Sequence, residues 1–97
     1  MTKADIVQKI AEKTGIQKEQ VETTLEALFV TIKDSMANGQ NIYLRGFGSF
    51  TNKKRAAKTA RNISKNTTII VPAYVIPHFK PSDDFTNQVK EGNLQLM

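Results

Sequence analysis

The chain has no cysteine, no tryptophan and one histidine, His78, among its 97 residues. Without cysteine, disulfides and thiolate metal centres are excluded. One histidine argues against a histidine-ligated zinc. No apolar run approaches the roughly 18 residues of a membrane-spanning helix. The N-terminal MTKADIVQKI intersperses acid and base where a secretory leader has an apolar core. These absences predict a soluble, intracellular protein without metal or cofactor. Hydrophobic residues make up 39%, too many for a wholly disordered chain. The length suits one small domain and not two cores.

Negative charge is missing from the middle of the chain. Residues 1–34 hold five bases and six acids, and residues 83–97 hold one base and three acids. Residues 35–82 hold eight bases (Arg45, Lys53, Lys54, Arg55, Lys58, Arg61, Lys65 and Lys80) and no acid. Six of those eight fall within 53–65. Such a segment repels itself unless an anion meets it. A solvated loop is the bland explanation for a charge run. A run this long and one-signed, flanked by strand-like sequence, points instead to a polyanion.

Periodicity divides the chain into helix, strand and helix. Residues 3–14 are predicted as a first helix, with Thr2 as N-cap, Asp5 in the first turn, Ile6, Val7, Ile10 and Ala11 on one face, and Gly15 as terminator. Residues 18–38 are predicted as a second, striped by Val21, Leu25, Leu28, Phe29, Ile32 and Met36. After Gly39 the period becomes two. Residues 41–54 read as a hairpin turning at Gly46-Phe47-Gly48. Pro72 and Pro77 confine the residues between them to an edge or bulged strand. Ser82 caps a third helix with Asp83 and Asp84 in its first turn and Phe85 and Val89 as its apolar pair. Residues 92–97 read as a loose tail.

Strand-like sequence around 50–58 and 66–76 carries little that is apolar near its tip except Ile63. A ribbon that buries so little does not hold itself as a compact layer, so it should project and become ordered on a ligand. The body that remains is marginal for one core, and its Phe47, Phe50, Phe79 and second-helix faces need cover. A homodimer supplies that cover, and two-fold symmetry then gives two arms.

No catalytic constellation stands out. The acids Asp5, Glu12, Glu19, Glu22, Glu26 and Asp34 fall on exposed helix faces. His78, between Pro77 and Phe79, reads as a packed or surface residue rather than a general base. A GxGxxG phosphate loop would need glycine where Thr51 stands.

Gly46-Phe47-Gly48-Ser49-Phe50, followed by the basic ribbon, resembles the HU/IHF family of bacterial DNA-bending proteins. The likeness runs from about Thr2 to Lys90 and includes Arg55, Lys58, Arg61-Asn62, and Pro77 with Phe79. It implies an α+β fold: an intertwined homodimer with a helical base (two N-terminal helices and one short C-terminal helix), a three-stranded antiparallel sheet and a long projecting β-ribbon arm. One domain over 1–91 is implied, with the arm at about 54–75 and a flexible tail at 92–97. The implied partner is double-stranded DNA, entered through the minor groove, bent and compacted in a cytoplasmic nucleoid. By that resemblance Arg55, Lys58, Arg61 and Lys65 contact backbone or groove, Asn62 sits at the groove floor, and Ile63 is the wedge between base pairs. Lys53 and Lys54 at the arm base, with Lys3, Lys18 and Lys80 on the body, are secondary phosphate contacts. The physics is independent of the family: cations neutralise phosphates, and an apolar wedge unstacks a base step.

The sequence departs from the family at two places. Ile63 stands where the family has a tip proline, and Lys65 and Asn66 replace its threonine and glycine. Asp83 and Thr86 stand where the family often carries third-helix lysines, leaving Lys90. Acids there repel phosphate, so flank contacts should weaken or shift to Lys3, Lys18 and Lys80, and the footprint should shorten. With no recognition helix for the major groove, low sequence specificity is expected. Three alternatives differ in kind: a site-preferring bending factor of the IHF type, an RNA-binding ribbon using Tyr43 or Tyr74 to stack bases, and a purely structural assembly protein. The tyrosines lie outside the densest basic run, and pure assembly leaves the cationic segment unexplained. Pairing with a paralogue in place of a second copy is compatible with the same sequence.

Overall fold

The computed structural model describes residues 1–62 and 67–94, and the side chains of those residues other than 60–62. Helix α1 spans Lys3–Thr14 and α2 spans Lys18–Ala37. Strands β1 (Ile42–Leu44), β2 (Gly48–Arg55), β3 (Lys58–Asn62), β4 (Thr67–Val71) and β5 (Tyr74–Pro81) follow, and α3 (Asp83–Leu94) closes the chain.

Local chemistry sets the helix limits. Thr2 caps α1 in a reciprocal capping box: its Oγ1 accepts from the Asp5 N–H, and the Asp5 carboxylate accepts from the Thr2 N–H at 2.9 Å. Gly15 ends the helix at φ +75°, and its N–H donates to the Ala11 carbonyl. Ser82 starts α3, its hydroxyl accepting from the Phe85 N–H at 3.2 Å. That helix runs three residues past the point where a tail was expected. Gly92 is tolerated inside it, and the Asn93 amide donates back to the Val89 carbonyl at 2.8 Å. The remainder of the expected tail, 95–97, lies outside the described residues.

The sheet has order β1-β2-β5, antiparallel throughout. Phe50 pairs with Phe79 across it, with ring centroids 4.8 Å apart. Phe47 from the turn and Phe85 from α3 extend this into one aromatic cluster. Proline at 77 is accommodated because β5 is an edge strand. The Asn52 side chain donates to the Gln40 carbonyl at 2.9 Å, and its backbone N–H donates to Asn41 Oδ1, tying β2 to the connection between α2 and β1.

Both glycines of the turn are required, for different reasons. Gly46 adopts φ +80°, which favours glycine. A Cβ on Gly48 would lie 2.6 Å from the Lys80 carbonyl oxygen and from the Phe79 ring.

Beyond Arg55 the ribbon continues as a two-stranded ladder of β3 and β4. Ala56 and Ala57 on one side and Pro72 and Ala73 on the other belong to neither ladder. Two residues are skipped on each strand, so the register passes the gap without slipping. Pro72 has no N–H to give a ladder, which accounts for the interruption. Among the described residues no second layer covers the ribbon: Ile70 is 75% exposed.

Within one chain the core is thin. Among the described residues only Val7, Val21 and Met36 are buried apolar side chains. The α2 stripe is covered at its two ends, while Leu28 and Phe29 between them stay 45% and 40% exposed. The radius of gyration is 19.5 Å, against about 12.5 Å for a compact domain of this length. The accessible surface is 8340 Å², against about 5,500 Å² for a compact monomer of this mass.

Candidate nucleic-acid interface

Strand alternation gives the sheet two unlike faces. One carries Ile42, Leu44, Phe50 and Phe79 and packs toward the aromatic cluster and α2. The outer face is read from the register rows: Tyr43 beside Ser49 beside Lys80, then Thr51 with His78, Lys53 with Ile76, and Arg55 with Tyr74. This face contains three cations and no carboxylate. Arg45 leaves β1 at its upper edge, on the rim of a shallow groove lined also by Tyr43, Ser49, Lys80 and Asp83.

The expected binding residues divide among several places. Lys53 and Arg55 lie on the outer face with Lys80. Lys54 alternates to the opposite face, across from Val75. Lys58 opens β3 opposite Val71 and is exposed. Arg61 and Asn62 hold backbone register against Thr68 and Thr67, at the far end of the ladder. Ile63 and Lys65 lie outside the described residues. Lys18 is exposed at the first position of α2, apart from the sheet in sequence and element.

Lys3 is engaged elsewhere. Its Nζ lies 2.7 Å from Glu26 Oε1 on α2, the one ion pair among the described residues. The hydrogen bond to Glu26 and its charge hold the Lys3 ammonium above its usual pKa of 10.5. The ammonium keeps further N–H donors, but a phosphate reaching it meets the Glu26 carboxylate beside it. By contrast, no described carboxylate pairs with Arg45, Lys53, Lys54, Arg55, Lys58 or Lys80. Their charge is uncompensated along the sheet face and up the ribbon, the arrangement that favours counterion release from a polyanion.

Reading the sequence for charge found most of these cations but missed the rest of the face. Ser49, Thr51 and His78 share it through strand pairing across a sequence separation of about thirty residues. Only the parity of alternation could have pointed to them.

Fold and face together define an α+β protein with a cationic β-ribbon on a small helical and sheet body. The chain belongs to the bacterial DNA-binding protein family, that of HU and IHF, whose model matches residues 1–90. It is 39% identical to integration host factor subunit beta of Marinobacter nauticus over 93 residues, 95% of each chain. It is 36% identical to the DNA-binding protein HU of Thermus thermophilus over 91 residues, 94% of each. The fold is similar to that of HU in a cocrystal with DNA from Anabaena, with TM-score 0.84 and 34% identity, covering 92% of this chain and 97% of that one.

Proposed function

We propose that this chain is an architectural protein that binds duplex DNA as a two-armed homodimer and bends it, with low sequence specificity. The observation that carries this reading is the set of three cations, Lys80, Lys53 and Arg55, on an outer sheet face that bears no acid, none of them in an ion pair among the described residues. The thin core supports the dimer, because Leu28, Phe29 and Val30 on α2 and Phe47 in the turn are 40–54% exposed in the single chain. Covering a large apolar side chain contributes about 1.5–3 kcal/mol.

The arm, about 54–75 of a single domain over 1–91, enters the minor groove. Arg55, Lys58, Arg61 and Lys65 neutralise phosphates or line the groove, and Asn62 lies on its floor. Ile63 wedges into a base step as an apolar, non-proline intercalator, and the bent duplex then meets the body. Lys53, Lys54, Lys18 and Lys80 add phosphate contacts, and Lys3 does so through the N–H donors that Glu26 leaves free.

A salt titration against linear, nicked and mismatched duplexes, with bending read by end-to-end fluorescence transfer, tests the proposal. A log–log slope on the order of −5 to −10 per dimer is expected, with tighter binding to the nicked and mismatched forms. A slope near zero, or preference for RNA or single strands, refutes the reading. Ile63→Ala should bind with a similar slope and bend less; unchanged bending removes the wedge.

A further inference from the structure

The outer sheet face holds a titratable group that the arm-based account leaves idle. His78 sits on β5 directly across from half-buried Thr51, and its side chain is exposed. The flanking Pro77 and Phe79 alternate to the other face, where the Phe79 ring packs at a tilt against Phe47 and Phe50, so neither shields the His78 ring. Lys80 follows two residues along the same strand, about 6.7 Å away along the backbone. Lys53 is the diagonal neighbour on β2.

The charged and titratable groups sharing this face are Lys53 and Arg55 from β2, Tyr74 and Lys80 from β5, and Tyr43 from β1, with Arg45 at its rim. Asp83 lines the same shallow groove as Lys80. Helix α2 contributes none here, because it packs against the opposite face.

We propose that His78, with Thr51 and Lys80, forms a phosphate-binding site at the centre of the sheet face, engaged more strongly as the solution becomes mildly acidic. This inference rests on the duplex-binding reading above. Protonated imidazole donates an N–H to a phosphate oxygen and adds a charge that the neutral ring lacks. A phosphate on the ring favours the charged form, so binding takes up a proton from solvent. Affinity therefore rises as pH falls and levels off once the ring is protonated in the free protein too. The chain has one histidine, so a substitution at position 78 removes every imidazole from the protein.

The test is a salt titration of the full-length protein on one linear duplex at about pH 8 and about pH 5.5, for wild type, His78→Gln and His78→Lys. Circular dichroism at both pH values checks that each variant is folded. Wild type should steepen its log–log slope at the lower pH by about 0.9 per protomer. At about 0.15 M salt its affinity should tighten about fivefold per protomer. His78→Gln should lose this increment and bind at either pH as wild type does at the higher one. His78→Lys should already be steep at the higher pH. An identical wild-type slope at both pH values, or the full increment surviving in His78→Gln, overturns the site while leaving duplex binding intact. Folded protein that binds duplex at neither pH refutes the underlying function, and this proposal with it.

Discussion

Single residues in this protein act through what they leave room for. Gly48 lets β5 come close enough for Phe79 to lie over the turn, and the space is closed to a methyl group by a backbone carbonyl that cannot move alone. Gly48→Ala should therefore destabilise by about 1–3 kcal/mol, read by denaturant unfolding. Gly92→Ala should not, since nothing lies within 4 Å of a Cβ there. The GFGSF motif is recognisable in the sequence, but it does not reveal that its first glycine answers to a dihedral angle and its second to a neighbouring strand. Lys3 is a second case. It reads as a free body cation, whereas folding places it on Glu26, 23 residues away. The pairing raises its pKa in the folded state, so its contribution is complete below pH 10.5 and is lost as pH rises through the raised value. The difference in melting temperature between wild type and Lys3→Met should accordingly shrink in strongly alkaline solution. The pair is exposed, so that difference is small at neutral pH as well.

Among elements, α3 and the ribbon carry the features that distinguish this chain. Asp83 and Asp84 suit the first turn of α3 through the helix dipole, and the same charges oppose a phosphate arriving beside Lys80. Asp83→Lys should lengthen the protected stretch of duplex in nuclease footprinting; an unchanged footprint would show that α3 lies clear of DNA. It should also slightly weaken the helix, because a cation replaces an acid at its N-terminus. The ribbon's projection was legible from its lack of apolar residues, and the described ladder has no covering layer. Its division at Ala56-Ala57 and Pro72-Ala73 was only half legible. Proline marks where a ladder bond is missing, but the partner residues opposite it follow from register. Residues 92–97 read as a loose tail, whereas α3 continues to Leu94 and the Asn93 side chain satisfies a carbonyl inside the helix.

At the scale of the whole molecule, the shape demands a partner. An extent of 60 Å along the longest axis, with three buried apolar side chains among those described, is not a self-sufficient domain. Phe29→Glu should place a charge in the proposed dimer interface, shift sedimentation toward the monomer and lower the melting temperature by tens of degrees at micromolar concentration. An unchanged sedimentation coefficient would move the interface elsewhere.

Sequence alone determined the element order, the caps at Thr2, Gly15 and Ser82, the acid-free centre and the basic ribbon. These depend on residues within a few positions of one another, where spacing, dihedral preference and charge act directly. Tertiary structure decided what depends on distant residues meeting. It sent Lys53 and Lys54 to opposite faces, aligned His78 with Thr51, occupied Lys3 with Glu26 and left the middle of the α2 stripe uncovered. Strand register and helix packing set those neighbours, and no local pattern encodes which distant side chain will lie across the gap.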